Sequence, residues 1–252
     1  MHIQRPAHAL LMAAALGSAP AALAQGIYAE TWDQTNARWN ALAGFPSRAL
    51  GQVGLPSGSD LTIEIQNSAT LRVYADNPTT TDIGVITLRT QPGQSPTLLI
   101  GKNDLPQPNA STPLTQMACR TLAGVNANEL TRVQIHAQNI SGPGVEVHRL
   151  IRLDLTGDLD APIIHWGDKS DPAPSVGPID IEGSITPKGS IAAYEGSIGA
   201  VTIADDLNGH ITARQGTIAS IDVAGDMGSD GRPAIWASAP FGSFAIDHIT
   251  IA

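Results

Sequence analysis

The sequence predicts an all-β chain whose second half winds as a β-solenoid, because of its composition and because of an internal repeat. Of its 252 residues only 4% are aromatic, whereas glycine (25 residues) and proline (18 residues) are abundant. Short runs rich in Ile, Val and Thr are separated by Gly, Asn, Asp and Pro, which is the pattern of strands joined by turns. Long amphipathic stretches of helical period are nearly absent.

The repeat is an aliphatic residue, two other residues, a second aliphatic, one other residue and a third aliphatic. Its copies are Leu130/Val133/Ile135, Leu150/Leu153/Leu155, Val176/Ile179/Ile181, Ile198/Val201/Ile203, Ile218/Ile221/Val223 and Ile246/Ile249/Ile251, with an earlier copy at Ile83/Ile86/Leu88. Alternation with period two places Val201 and Ile203 on one face of a strand. We therefore expect Val201 to stack between Ile179 and Ile221 of the neighbouring turns.

A polar turn follows each copy, and a second strand follows the turn. The turn residues are Gly157, Gly183, Asp205 and Gly225, and the second strands begin near Ile163, Ile191, Ile211 and Ile235. About five inward aliphatics per turn contribute roughly 10 kcal/mol of burial. Ordering about 20 residues costs roughly 20–40 kcal/mol of backbone entropy. One turn is therefore unstable alone, and stacked neighbours must share its ladder and core.

This pattern resembles the right-handed parallel β-helices of pectate-lyase-like and autotransporter-like proteins. The copies start 20 to 28 residues apart, and the extra residues fall at corners such as 167–175 and 228–233. The resemblance covers 129–252 well and 59–128 weakly, and it implies a right-handed parallel β-helix. The strand Ile246-Asp247-His248-Ile249 also resembles an Ile-Asp-His motif of the pectate-lyase-like proteins, although Ala245 stands where they have an aromatic residue.

The chain divides into four segments: a signal peptide at 1–24, a cap segment at 25–58, irregular early β-turns or a small separate β-domain at 59–128, and regular β-helix turns at 129–252. The first segment has a weakly basic start, an apolar run from Ala9 to Ala22, and the small-x-small site Ala22-Leu23-Ala24. That is the layout of a secretory signal peptide. We therefore expect a secreted, periplasmic or cell-surface protein without a membrane span.

The cap segment predicts a short amphipathic helix that lies across the open end of the solenoid. Tyr28, Trp32, Thr35, Trp39 and Leu42 recur at helical spacing, with polar residues between them. Such a helix buries one face and exposes the other. A pair of ligand-binding tryptophans is the alternative role of this segment.

Acidic residues line one expected edge of the solenoid and point to calcium as a cofactor. Asp158, Asp206 and Asp226 lie in the turns, and Asp154, Asp180 and Asp222 lie on the outward face of a first strand, each four residues before the turn position of its own copy. Carboxylates about 5 Å apart repel one another by roughly 0.8 kcal/mol in water. A bound Ca²⁺ removes that repulsion, because it prefers oxygen ligands. The alternative is that each Asp caps its own turn through the backbone.

Three aromatic residues predict a stacking track for a polysaccharide if they share a face. Trp166, Tyr194 and Trp236 lie at the second strands or just after them. The alternative is that each ring covers local apolar surface. The formal net charge is −9, so the chain is a poor partner for nucleic acid. Cys119 is the only cysteine, which excludes an internal disulfide and predicts a small buried residue.

The sequence shows no catalytic constellation and no cofactor motif. The first hypothesis is therefore a non-catalytic exported β-solenoid, a structural or adhesive, surface-binding module of the envelope surface or extracellular matrix. The alternatives are a carbohydrate-active lyase or hydrolase, or a calcium- or glycan-binding module, because one fold hosts many functions. The last copy of the repeat ends at Ile251 with no cap after it. An uncapped turn predicts a longer natural chain, a docked partner or end-to-end self-association.

Overall fold

A computed structural model describes residues 26–46, 48, 50, 52–102, 112–127, 130–167, 176–228, 235–238 and 245–251. Within these ranges the chain forms strands and turns and contains no helix, and hence none that could cross a membrane. The predicted all-β class is confirmed. The predicted signal peptide at 1–24 lies outside the described residues.

The strands of the described residues form two large sheets. In chain order they are β1 (Ile27–Asp33), β2 (Arg38–Ala41), β3 (Leu61–Ile65), β4 (Thr70–Ala75), β5 (Ile83–Thr90), β6 (Thr97–Ile100), β7 (Thr121–Ala127), β8 (Arg132–Ala137), β9 (Asn139–Val147), β10 (Arg149–Leu155), β11 (Leu159–Asp160), β12 (Pro162–His165), β13 (Ile179–Ile181), β14 (Ser190–Ala193), β15 (Ile198–Ile203), β16 (His210–Ala213), β17 (Ile218–Val223), β18 (Ile235–Ala237) and β19 (Ile246–Ile251). The ten-stranded sheet has the order β2-β1-β4-β6-β8-β10-β13-β15-β17-β19. The nine-stranded sheet has the order β3-β5-β7-β9-β12-β14-β16-β18, with β11 paired to β9.

Neighbouring strands pair in parallel, except where β1 pairs with β2 and with β4. Strands that follow one another from β3 onwards lie in opposite sheets, apart from the short β11, which shares its sheet with β12. The strands within 59–128 therefore lie in the same two sheets as those of the regular turns. Parallel sheets of this kind bury both aliphatic faces that meet between them.

Inward columns run across each sheet in the predicted register. In the ten-stranded sheet Val201 pairs with Ile179 and Ile221, which confirms the stacking predicted for it. In the nine-stranded sheet the corresponding partners are Ile163, Ile191, Ile211 and Ile235. These side chains meet between the two sheets in one apolar core.

Two copies of the repeat differ from the prediction. The early copy at Ile83/Ile86/Leu88 lies in the nine-stranded sheet, whereas the similar segment 198–203 lies in the ten-stranded sheet. Alternation with period two cannot tell two sheets apart when both bury aliphatic residues. Leu130 leaves its expected column, because it is 36% exposed and Leu150 pairs with Val133 instead.

The predicted capping helix is wrong, because the segment forms the antiparallel hairpin of β1 and β2. Asp33 accepts hydrogen bonds from the backbone N–H groups of Thr35 (3.0 Å) and Asn36 (3.1 Å), a local arrangement that competes with a helix. Trp32 and Trp39 face each other across the hairpin, with ring centroids 5.3 Å apart. A spacing of seven residues fits either two helical turns or this cross-strand pair, and the pairing of β1 with β4 decides for strands.

Residues 112–116 cover the outer face of the ten-stranded sheet near β6 and β8. Gln134 donates through Nε2 to the Thr112 carbonyl over 3.1 Å, and Leu99, on the same outer face, is buried. Cys119, just after this segment, is buried as predicted. Burial raises the pKa of its thiol to about 12, so the thiolate is scarce near neutral pH.

The strands β18 and β19 lie at the edges of their sheets. Ile249 and Ile251 of β19 are 42% and 56% exposed, although their register partners Ile221 and Val223 are buried. An edge strand with exposed apolar side chains can pair with another chain. End-to-end self-association therefore stays a prediction.

Candidate functional site

The candidate site lies where strands of the nine-stranded sheet end at a corner. The residues that follow the last inward position of four successive strands are His148, Trp166, Tyr194 and Arg214. Because side chains alternate between the two faces of a strand, these four point outward. The parallel register continues through them, since the N–H groups of Tyr194 and Arg214 donate to the His165 and Ala193 carbonyls, each over 2.8 Å. The four side chains therefore lie one above another.

Trp166, Tyr194 and Arg214 form a stack. The two rings lie with centroids 4.7 Å apart and planes inclined by 19°. The Arg214 Cζ atom lies 4.5 Å from the centroid of the Tyr194 ring, which is a cation–π contact. Trp166 Nε1 donates a hydrogen bond of 2.8 Å to Glu146 Oε1. These contacts hold the indole in one orientation while 39% of Trp166 stays exposed.

Two clefts adjoin at His148 and Trp166. The first cleft has a volume of 420 Å³ and is lined by Thr90, Gln91, Pro92, Gly93, Asn126, Ala127, Leu130, Glu146, His148 and Trp166. The second has a volume of 580 Å³ and is lined by His148, Trp166, Gly167, Tyr194, Glu195, Arg214 and Gln215. Both volumes lie in the range of roughly 300–1,000 Å³ that is typical of small-molecule sites. Trp166 is thus a wall shared by two neighbouring clefts.

A third, smaller cleft of 180 Å³ adjoins the first one at Thr90 and Gln91. Its other lining residues are Glu64, Ile65, Gln66 and Arg89. The three clefts cross the strands from β3 to β16, and these six inter-strand steps span about 29 Å at about 4.8 Å each. We call the three clefts together the corner groove.

The rim of the first cleft has an unusual backbone at Leu130. Its φ angle is +65°, in the left-handed region that bulky side chains rarely adopt. The partly exposed Leu130 side chain lines the cleft together with Glu146 and His148. Strained backbone of this kind concentrates at functional sites.

His165 lies directly beneath the corner groove, in the core. His165 is fully buried between Val147 and Ala193, its register partners. Among the described residues neither ring nitrogen has a hydrogen-bond partner. Burial lowers the pKa of His165 to about 4. The imidazole is therefore neutral near neutral pH.

The structure brings two of the three predicted glycan-binding aromatics together. Trp166 and Tyr194 stack, whereas Trp236 occupies an outward position within β18, as the register partner of Thr212. Trp236 is 48% exposed and lines none of the three clefts. The predicted track of three aromatic residues is therefore reduced to the stacked pair of Trp166 and Tyr194.

Sequence reasoning missed Glu146, His148 and Arg214 as part of the site. A usable signal existed, because Trp166, Tyr194 and Arg214 each follow an inward isoleucine of the second strand by three residues. In stacked parallel turns such equivalent positions become neighbours. The signal was overlooked because one member of the column is cationic and two are aromatic.

The six aspartates of the predicted calcium edge do not form an unbroken column. Asp154 and Asp180 are register partners, and Arg152 binds both, with Nε 2.8 Å from Asp154 Oδ1 and Nη2 2.6 Å from Asp180 Oδ2. Thr202 separates Asp180 from Asp222. In the part of the chain that the structure describes, no group of three or more His, Cys, Asp or Glu side chains could hold a metal ion. Calcium binding therefore stays a prediction.

The turn residues Asp158, Asp206 and Asp226 belong to a hydrogen-bond ladder that joins successive turns. Asp158 Oδ1 accepts the backbone N–H of Ser184 over 2.9 Å, and Ser184 Oγ accepts that of Asp206 over 3.2 Å. Asp206 Oδ1 then accepts the N–H of Asp226 over 2.8 Å. The side chains of Asp158, Ser184 and Asp206 thus each cap the following polar turn, whereas the sequence suggested that each Asp caps its own turn.

Comparisons with protein-family models, with curated proteins and with solved structures found no match. The chemistry of the groove is therefore argued from its own residues. Exposed aromatic rings can pack against the apolar faces of ring-shaped ligands, and the carboxylate of Glu146 and the amides of Gln91 and Asn126 can form hydrogen bonds with hydroxyl groups.

Proposed function

We propose that this chain is an exported, non-catalytic surface-binding module that winds as a right-handed parallel β-helix and holds a polysaccharide in the corner groove. The observation that carries the proposal is the stack of Trp166, Tyr194 and Arg214 at the boundary of two clefts. Sugar rings have apolar C–H faces and polar hydroxyl edges. A cleft with one aromatic wall and several polar side chains complements both.

The order of the strands supports the winding. From β3 to β19 the chain alternates between two sheets and advances by one strand position at each return, apart from β11. A chain that alternates between two sheets in this way, with parallel strands in register, winds around a common axis. Connections between parallel strands are right-handed in about 98% of cases, which supports the right hand. The same architecture is implied by the repeat pattern that resembles pectate-lyase-like and autotransporter-like proteins.

The pattern of a signal peptide at 1–24 supports export, so the ligand would be met in the periplasm, at the cell surface or outside the cell. Adhesion to an extracellular polysaccharide needs no bound cofactor and no reacting group. It needs only a rigid surface with a groove, and stacked parallel strands provide one.

Affinity electrophoresis of the mature protein in gels that contain soluble polysaccharides tests the proposal. We expect at least one polysaccharide to retard the wild-type protein and Trp166→Ala to abolish most of the retardation. Trp236→Ala is the matched control, because Trp236 is exposed but lies outside the corner groove. Equal mobility of wild type and Trp166→Ala in every gel, retarded or not, would contradict the proposal.

The same polysaccharides distinguish the alternatives. Release of shorter oligosaccharides by the wild-type protein would instead favour a lyase or hydrolase on this scaffold. If Asp206 and Asp226 share a calcium ion, millimolar Ca²⁺ should raise the melting temperature, as any ligand of the native state does. Asp206→Asn should then remove that rise.

A further inference from the structure

Resting on the proposed function, we infer that the corner groove takes a neutral, extended glycan, with sugar units on both sides of Trp166. The ligand is thus neither a polymer of uronic acids nor a polymer of amino sugars. Three features of the groove lead to this class of ligand: its length, its hydrogen-bonding groups and its balance of charge.

The groove is long and crosses the strands, so it fits a chain rather than a single sugar. The first cleft is lined from β5, β7 and β9, and the second by residues that follow β12, β14 and β16. Trp166 follows β12 and stands between the two sets. A ligand that fills both clefts must therefore pass over Trp166, whose indole is held by Glu146 and Tyr194. An extended oligosaccharide can do so.

The polar groups of the first cleft suit hydroxyl groups. A carboxylate has about four lone-pair sites, and the indole of Trp166 uses one oxygen of Glu146. The remaining sites accept hydrogen bonds from hydroxyls, and the amides of Gln91 and Asn126 can both donate and accept. A ligand carboxylate only accepts hydrogen bonds, so it would oppose Glu146 with another acceptor.

The charges of the groove nearly cancel, which disfavours a highly charged polymer of either sign. Its lining has three acidic residues (Glu64, Glu146 and Glu195) and two arginines (Arg89 and Arg214). At one end Arg89 Nη1 lies 3.8 Å from Glu64 Oε1, so these two offset each other. The net charge of −9 repels a polyanion at long range. A cationic polymer of amino sugars would be repelled by Arg214 at the other end of the groove.

Isothermal titration calorimetry of the mature protein with defined hexasaccharides tests this inference. The neutral probes are cellohexaose, xylohexaose and mannohexaose, and the charged probes are hexagalacturonate and hexaglucosamine. We expect one neutral probe to bind about tenfold more tightly than either charged probe, a difference of about 1.4 kcal/mol. Its affinity should change by less than about twofold between about 50 mM and 500 mM NaCl, because screening does not affect an uncharged ligand.

Substitutions in the corner groove test whether the probe binds there. Trp166→Ala should weaken binding of the neutral probe about tenfold, and Tyr194→Ala should weaken it less, since Tyr194 lines only the second cleft. Trp166→Phe keeps a ring if Trp166→Ala fails to fold, and Trp236→Ala should bind like wild type. Glu146→Gln keeps an acceptor for the indole, so it should weaken the neutral probe only a few-fold without creating affinity for hexagalacturonate.

The outcomes separate this inference from the proposed function. Tightest binding of hexagalacturonate or hexaglucosamine, lost at high salt, would overturn the inference and leave a polysaccharide-binding module. Binding of the neutral probe that neither Trp166 variant changes would overturn its placement in the groove. If no hexasaccharide and no polysaccharide binds, both the inference and the proposed function are wrong.

Discussion

The two halves of this molecule share the same pair of sheets but are stabilised in different ways. In the first half, up to β8, residues 112–116 cover the outer face of the ten-stranded sheet. In the second half, Ala200 and Thr202 of β15, on the outer face of the same sheet, are exposed. The first half thus depends on particular side chains, whereas the second depends on contacts that recur in every turn.

A buried cluster of charged and aromatic groups illustrates how the first half depends on particular side chains. Glu30 is only 5% exposed and accepts hydrogen bonds from Arg72 Nε (2.6 Å) and from the Tyr74 hydroxyl (3.1 Å). Lys102 Nζ lies 3.8 Å from the centroid of the Tyr74 ring. Burial raises the pKa of Tyr74 and lowers that of Lys102. One substitution here removes several contacts at once.

The turn ladder from Asp158 to Asp226 illustrates how the second half depends on recurring contacts. Each rung is one hydrogen bond between a side chain and the backbone of the next turn. Below it the inward columns repeat the same aliphatic contacts from strand to strand. Because each of these hydrogen bonds joins a different pair of residues, the loss of one rung leaves the others in place.

The largest expected effect is that of Arg72→Ala in the first half. The side chains of Arg72 and Glu30 are 16% and 6% exposed, so the substitution leaves a buried carboxylate without its cation. Such a change destabilises a protein by about 3–5 kcal/mol. Urea unfolding followed by circular dichroism should show this loss as a lower midpoint.

The control for this prediction is Arg89→Ala, which removes an ion pair of the same type from the surface. Arg89 and Glu64 are 65% and 74% exposed and 3.8 Å apart, so the expected loss is below about 0.5 kcal/mol. Equal losses in the two variants would show that the buried cluster adds nothing beyond an ordinary surface pair.

The next largest effect concerns His165, the residue that interrupts the apolar columns of the second half. Its pKa is about 4 in the folded protein and about 6.5 when unfolded. Between these values the unfolded chain binds more protons, so this contribution to stability is complete above about pH 6.5 and falls as the pH falls towards 4. The shift corresponds to a loss of about 3 kcal/mol.

Urea midpoints of wild type and His165→Leu, measured from about pH 7 to pH 4, test this expectation. The variant removes an unpaired buried imidazole, so it should lose less stability on acidification than wild type does. Parallel curves for the two proteins would mean that His165 is not buried as the structure has it. Carboxylates titrate in both proteins, so their contribution to stability cancels when the two pH curves are subtracted.

The smallest effect is that of Asp206→Ala in the turn ladder. The substitution removes the acceptor for the Asp226 N–H, which lies in a partly exposed turn that water can reach. We expect a loss of about 1 kcal/mol. Asp206→Asn keeps a side-chain oxygen and should lose less than half as much. A loss with Asp206→Asn as large as with Asp206→Ala would favour the charge itself, as a calcium site requires.

Much of the regular architecture could be predicted, because its signal is local. The columns of Ile179, Val201 and Ile221 follow from alternation within each copy and from the equivalence of copies. The same rule applied to Ile163 places the polar side chain of His165 inward as well. In a strand the period of two decides the face, even for a polar side chain.

The candidate site was predicted only in part. Trp166 and Tyr194 were identified as aromatics near a corner, but their stacking depends on a register between strands 28 residues apart in the chain. The hairpin of Trp32 and Trp39 was mistaken for a helix, because a seven-residue spacing is ambiguous until the partner strand is known.

The sequence by itself determined that the chain is all-β and which aliphatic side chains face the core in the regular turns, since period-two alternation is a property of each strand alone. Only the tertiary structure decided which sheet each strand joins, that Glu30 meets Arg72, and that Trp166 stands between two clefts. These contacts join residues that are far apart in the chain. The physical reason is that parallel pairing brings strands from distant parts of the sequence to about 4.8 Å from one another, and the register of that pairing is set by the packed core.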